Sequence, residues 1–231
     1  MSLPKPAETV LILGGTSEAA GLAAQLAAQH PDWRVITSLA GRTRQPKPVA
    51  GEVRIGGFGG VAGLAGYLRR EGVTQLIDAT HPFALQISVN ARAAAAQSGI
   101  PLNVQTRAPW DRQAGDKWIE VSSIDEAVGA IPPAARVLLA LGSQRIAPFA
   151  ARADVHFVMR MVDAPELPPR LPDYQLLLGL PGGAEAEEAL LRAHAITHIV
   201  CRNSGGVRSY AKVKAARHLG LPVIIISRTP L

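Results

Sequence analysis

The chain has 231 residues, 48% of them hydrophobic and 4% aromatic, with a formal net charge of +6 and a pI near 10. That length allows one large domain or two small ones with real cores, and the apolar fraction excludes a disordered chain. No apolar run approaches the roughly 20 residues of a membrane span, the start "MSLPKPAETV" has no charged-then-apolar leader, and the single Cys201 excludes an internal disulfide or a multi-cysteine metal site. A soluble cytoplasmic protein is expected.

Short apolar strands alternate with helical stretches along the whole chain. Residues 9–14, "TVLILG", are β-branched and continuously apolar, as a strand buried on both faces requires. "TSEAAGLAAQLAAQH" is rich in good helix formers and predicts the first helix. "RVITSLA" and "VRIGG" follow as strands, with the helix "VAGLAGYLRREG" behind them. "QLIDA" is a fourth strand, a long helix is expected from about Phe83 to Ser98, and "GIPLNVQTR" closes the first half. Such βα alternation predicts a doubly wound parallel sheet.

The second half echoes the first. "VLILGG" from Val10 is answered by "VLLALG" from Val137, "GYLRREGVTQLI" from Gly66 by "ALLRAHAITHIV" from Ala189, and "GIPLNVQTRAP" from Gly99 by "GLPVIIISRTP" from Gly220. Within the second pair Leu68, Arg69 and Thr74 match Leu191, Arg192 and Thr197. Three co-linear matches at nearly constant offset predict two tandem Rossmann-like α/β domains with a cleft between them. The boundary is placed in "APWDRQAGDKW", residues 108–118, giving domains of 1–112 and 113–231. After it, "EVSSIDEAVGAI" reads as a strand and a helix capped by Ser122 or Ser123 with Glu126 answering.

Ligands of parallel α/β sheets bind beyond the carboxyl ends of the strands. After strand one, Gly14 and Gly15 permit a tight turn, and Thr16 and Ser17 either cap the helix or bind a phosphate oxygen. After strand two, the acid that would bond an unphosphorylated ribose is missing; Ser38, Arg42 and Thr43 stand there and suit a 2′-phosphate, unless Arg42 is merely solvated. "GGFGG" at 56–60, with Gly57 and Phe58, lets main chain lie against a flat ligand or is a flexible loop. After strand four, Asp78 and Thr80 either cap the next helix, with Pro82 in its first turn, or face the ribose and nicotinamide. His81 is the candidate proton donor or carboxylate ligand. The second half offers Arg202, Asn203, Ser204, Gly205 and Gly206, with Arg107 and Trp110 at the crossing and, more weakly, Ser143, Gln144 and Lys212.

An arginine-rich chain of this charge suits a polyanionic small molecule or nucleic acid, or simply records base composition. The arginines are scattered and aromatics few, which leaves no stacking platform for nucleic acid.

"LILGGTSEA", "SLAGRT", "GGFGG", "DATHPFA", "RAPW" and "NSGG…AAR.LGLPV", in that order over nearly the whole chain, resemble the precorrin-6A reductase family of cobalamin biosynthesis. The resemblance implies NADPH-dependent reduction of one double bond of a tetrapyrrole macrocycle, where ring D meets ring A, by two Rossmann-like domains. It implies a phosphate turn at Gly14–Ser17, 2′-phosphate recognition by Ser38, Arg42 and Thr43, and contacts to ribose, nicotinamide and substrate from Gly57, Phe58, Asp78, Thr80, His81, Asn203, Ser204 and Gly205. The chain departs from the family pattern where Arg202 replaces a common Lys before "NSGG", and where "GLPGGAEAEE" stands in place of a "GPF" turn. The rival readings are a two-domain nucleotide-sugar glycosyltransferase, which the missing ribose acid disfavours, and a non-catalytic NADP sensor. Neither a metal site nor a nucleic-acid or membrane partner is expected.

Overall fold

A computed structural model describes residues 7–41, 48–142, 145–165 and 167–228. Two compact units divide between Thr106 and Arg107. The sequence reading put the boundary at 112/113; residues 107–110 fall with the second unit because Asn203 and Arg228 bond their main chain.

In the first unit, strands β1 (Thr9–Leu13), β2 (Arg34–Leu39), β3 (Glu52–Ile55), β4 (Gln75–Asp78) and β5 (Leu102–Val104) form a sheet in the order β3-β2-β1-β4-β5. Every pairing is parallel. Successive β1 side chains point to opposite faces. Leu11 and Leu13 pack with α2 (Gly60–Arg70) and α3 (Leu85–Ser98), whereas Val10 and Ile12 pack with Ala19 and Ala23 of α1 (Ser17–Gln29). Both faces are covered, which is why β1 carries no polar alternation.

In the second unit, β6 (Lys117–Val121), β7 (Arg136–Ala140), β8 (His156–Met161), β9 (Tyr174–Leu178), β10 (His198–Arg202) and β11 (Pro222–Ile226) form a six-stranded parallel sheet in the order β6-β11-β10-β7-β8-β9. Read from the other edge, β9-β8-β7-β10-β11 reproduces the order of the first sheet, with β6 added outside. Helices α5 (Ala184–Ala193) and α6 (Val207–Leu219) take the places of α2 and α3. Where α1 would stand, the described residues make a 3-10 turn, Ala147–Ala151, whose Phe149 meets Phe157 edge to face.

The sequence repeat is written into matching hydrogen bonds. Thr74 donates its N–H and hydroxyl to the Thr9 carbonyl and accepts the Thr9 N–H; Thr197 does the same to Arg136. Gly99 and Gly220 end α3 and α6 in the left-handed conformation, and Ile100 and Leu221 donate back to Ala95 and Ala216. The expected cap on α4 (Ile124–Gly129) is also present. Ser123 Oγ accepts from Glu126 N–H at 3.1 Å, and the Glu126 carboxylate accepts from Ser122 N–H at 2.8 Å. The Ser122 hydroxyl and N–H hold that carboxyl below its usual range.

A buried ion pair ties β8 to α5. Arg160 Nη1 and Nη2 donate to Glu187 Oε1 and Oε2 at 2.6 and 2.9 Å, with side chains only 9% and 1% exposed, and Gly182 N–H adds a third bond at 3.0 Å. Removing one member strands the other in the interior. Glu187→Ala should therefore cost roughly 3 kcal/mol or more in urea unfolding, while the R160M/E187L double variant should recover most of that loss. Equal destabilisation of the single and double variants would rule out the pairing.

Candidate functional site

The first unit's site is built where β1, β2, β3 and β4 end. The Gly14 N–H donates to the Ser38 carbonyl at 2.9 Å, and a Cβ at Gly14 would lie 2.9 Å from Thr37 Cγ2, so only hydrogen fits. Gly15 turns with φ +104° and has open space where a side chain would stand. Thr16 is the N-cap of α1. Its Oγ1 accepts from Ala19 N–H at 3.0 Å and donates to the Ala79 carbonyl at 2.9 Å. Ser17 Oγ donates to Glu18 Oε2 at 3.0 Å. The bare main chain of this turn and the N–H groups of the α1 N-terminus make a site suited to phosphate.

At the β4 exit, the buried Asp78 accepts both the Thr80 N–H (3.1 Å) and the Thr80 hydroxyl (2.7 Å) on Oδ1. This closes an Asx turn. A second turn follows, with Ala84 N–H donating to the His81 carbonyl at 2.7 Å, and α3 begins only at Leu85. Asp78 and Thr80 thus cap nothing, and Pro82 lies in the turn rather than the helix: the two successive turns use up residues 78–84 before a helix can start. His81 is half-buried, and its Nδ1 accepts the Phe83 N–H at 3.3 Å. With Nδ1 used as an acceptor, the neutral ring carries its proton on Nε2.

The end of β2 holds Ser38, which is buried. Arg42, Thr43, Ser143 and Gln144 lie outside the described residues. A residue that sequence reasoning passed over stands beside Ser38. Arg54 of β3 is its register partner, and Nη1 donates to Ser38 Oγ at 3.3 Å. The guanidinium also donates to the Gly56 and Gly57 carbonyls at 2.5 and 2.6 Å and lies 3.8 Å over the Phe58 ring. Phe58 is thereby committed to Arg54 and, edge to face, to Tyr67. The available signal was Arg54 itself, a charge set between Val53 and Ile55 in the strand. Open space surrounds the Cβ positions of Gly56 and Gly57. A nicotinamide dinucleotide fits this edge: bare main chain at Gly15 and Gly57, a helix N-terminus, and a fixed cation near the ribose position.

In the second unit, the candidates after β10 act on residues 107–110. Asn203 Oδ1 accepts Trp110 N–H at 2.6 Å and Nδ2 donates to the Trp110 carbonyl at 3.0 Å, a side chain imitating a strand pair. Arg228 Nε donates to the Asn203 carbonyl at 2.9 Å, and its terminal nitrogens bond the Arg107 and Ala108 carbonyls. Gly205, at φ +72°, comes so close that a Cβ would sit 1.9 Å from the Ala108 oxygen. Ser204 is buried, and Arg202 Nη2 donates to the Leu141 carbonyl at 3.0 Å. Trp110, Trp118, Arg112, Glu120 and Arg228 line a hollow of about 370 Å³.

Lys212 is buried, with Nζ donating to the Ser209 carbonyl at 2.6 Å and lying 5.4 Å from the Trp110 ring. Burial holds its ammonium below the usual lysine range. Burial also raises the Cys201 thiol, so the one cysteine stays protonated and is no nucleophile. Among the described residues no acid, histidine or cysteine cluster could hold a metal, and no helix is long and apolar enough to cross a membrane.

Comparison with known proteins agrees with this layout. A family model described as "Precorrin-6x reductase CbiJ/CobK" matches residues 9–230. A precorrin-6A reductase of Rhodobacter capsulatus is 50% identical over 95% of this chain and 87% of its own length. A cobalt-precorrin-6A reductase of Priestia megaterium is 32% identical over 95% of this chain and 90% of its own. A solved structure of "CobK precorrin-6A reductase" superposes with a TM-score of 0.93 at 49% identity, covering 97% of this chain and 89% of that one.

Two outcomes follow from the second unit. Gly205→Ala should destabilise it by ~2 kcal/mol or more, because the clash and the positive φ add, and should expose Arg107 and Arg112 to limited trypsin digestion; unchanged digestion would exclude the clamp. Lys212 has a folded pKa below its unfolded value of about 10.5, so the unfolded state binds more protons and wild-type stability rises with pH through that window. Lys212→Met should raise Tm at pH 7, and that gain should shrink as pH approaches the unfolded lysine pKa.

Proposed function

This chain belongs to the precorrin-6x reductase family, and from that premise we propose that it reduces one double bond of the precorrin-6A macrocycle to give precorrin-6B in cobalamin biosynthesis, with NADPH as its cofactor. The observation that carries the reading is the bare glycine turn after β1 standing beside the Asp78–Thr80–His81 turn at one sheet edge, joined by the Thr16 hydroxyl. The identities support the metal-free substrate: four differently sourced relatives named precorrin-6A reductase stand at 43–50%, and two named for cobalt-precorrin-6A at 27–32%.

Bound NADPH supplies the hydride. Gly15 and Ser17 would receive its phosphates on main-chain N–H groups, while Gly14, whose N–H is spent on the Ser38 carbonyl, would let the main chain approach closely. Thr16 would hold that turn in place rather than touch the ligand, since its hydroxyl already makes both of its bonds. Asp78 and Thr80 would line the ribose and nicotinamide end, and Gly57, bonded to Arg54, the adenosine end. Ser38, with Arg42 and Thr43, would serve the adenosine ribose. We assign to His81 the protonation of the carbon neighbouring the reduced one: as an imidazolium it would give up its Nε2 proton and be left as the neutral ring. Arg107, Trp110 and Arg202 are proposed for the polycarboxylate substrate, with Asn203 and Gly205 seating the Arg107–Trp110 segment and the buried Lys212 set against the Trp110 ring.

Purified protein should consume NADPH only when the oxidised precorrin is present, and UDP-sugars should not shift its Tm; stabilisation by UDP-sugars would favour the transferase. His81→Ala should lower kcat by roughly 10²-fold while leaving NADPH affinity unchanged. A loss under about threefold, less than roughly 0.7 kcal/mol of barrier, would remove His81 from proton transfer.

A further inference from the structure

We propose that Arg54 is the group that selects a dinucleotide carrying a phosphate on its adenosine ribose, an inference that rests on the cofactor reading above. Its place is the first argument. In a parallel sheet of this order the ribose of a bound dinucleotide is met at the carboxyl end of the strand after the phosphate turn, where an acid marks the unphosphorylated form. Here β2 ends in Ser38 and Leu39, followed by Ala40 and Gly41, and no acid is among them. The neighbouring strand instead places a guanidinium against Ser38 Oγ, at 3.3 Å.

The second argument is how the cation is held. Two main-chain carbonyls, at 2.5 and 2.6 Å, and the face of Phe58, at 3.8 Å, fix the plane of the guanidinium. Those contacts orient the group without neutralising it. Arg34, Arg152, Arg160 and Arg217 each meet a carboxylate. Arg54 meets none among the described residues. Three of its five N–H donors reach Gly56, Gly57 and Ser38, and the other two have no acceptor among those residues. A half-buried cation fixed in direction, with donors to spare, is preorganised for a dianionic oxygen cluster and little disposed to a neutral hydroxyl.

A purely structural role is the competing account, since Arg54 also braces the Gly56–Phe58 loop. Calorimetric titration of the full chain with NADPH, NADH, 2′,5′-ADP and 5′-AMP separates the two. Arg54→Gln should weaken NADPH and 2′,5′-ADP by about tenfold or more, leave NADH and 5′-AMP within about twofold, and flatten the salt dependence of NADPH binding. Arg54→Lys should restore part of the preference, because the charge returns without the fork. Equal weakening of both dinucleotides would reduce Arg54 to a loop brace and overturn the inference, as would an unchanged ratio in Arg54→Gln. If the unaltered protein distinguishes NADPH from NADH but Arg54→Gln does so equally well, only this inference fails. If it binds neither dinucleotide, the cofactor reading fails and carries this one with it.

Discussion

Thr16 Oγ1 takes a hydrogen bond from Ala19 N–H and gives one to the Ala79 carbonyl, and these two bonds tie the start of α1 to the β4 exit. Parallel pairing puts Leu13 opposite Asp78 and ends with the Ala79 N–H donating to the Leu13 carbonyl at 3.0 Å, which leaves the gap between the Ala79 carbonyl and the start of α1. The hydroxyl bridges that gap. On one side it fixes the start of α1 and the direction of its N–H groups; on the other it pins the residue from which the Asp78–Thr80 turn and then His81 are built. A hydroxyl so placed cannot also donate to a ligand, so its contribution to any phosphate site is indirect, through the geometry of the glycine turn.

The two units share a scaffold and diverge at the edge. The threonine braces and the glycine caps recur at corresponding positions, and so does the strand order. At the equivalent exits the chemistry differs. Asp78 folds its own successor residues into a turn. After β10 the structural work passes to Asn203, whose carboxamide captures main chain more than ninety residues earlier in the sequence. A short side chain bearing both a donor and an acceptor can replace a strand partner in this way; a carboxylate cannot. Gly205 then becomes obligatory because the captured segment occupies the volume of its Cβ.

Most of the fold could be read from the chain because parallel strands buried on both faces announce themselves as continuous apolar runs. Thr9–Leu13 is buried throughout and stands within a residue of where "TVLILG" put it. The capping box at Ser122–Glu126 was equally legible, being a local pattern. The start of α3 was not, because whether Asp78 caps a helix or closes a turn depends on a two-residue hydrogen bond that spacing alone leaves open. The division of the units was displaced for a related reason: composition marks residues 108–118 as a linker, while hydrogen bonds from Asn203 and Arg228, distant in sequence, decide which body holds them. Arg54 was hidden because attention to residues after a strand misses one that reaches the edge from inside the next strand.

Among the described residues, arginines are held in two different ways. Arg34, Arg160 and Arg217 are paired with carboxylates. Arg152 pairs with Asp154 and also gathers the Val128, Ile131 and Pro132 carbonyls. These arginines secure helix ends and strand edges, and their pairing cancels their field. Arg228 and Arg54 are held instead by main-chain carbonyls, which fix direction but remove no net charge. A carbonyl-held guanidinium therefore projects a field from a defined plane, as binding an anionic ligand requires. Overall composition cannot distinguish the two populations, since an arginine contributes equally to net charge in either. The distinction lies in whether the oxygen facing each guanidinium is charged, and on that criterion Arg54 in the first unit and Arg228 in the second keep their charge beside the candidate residues.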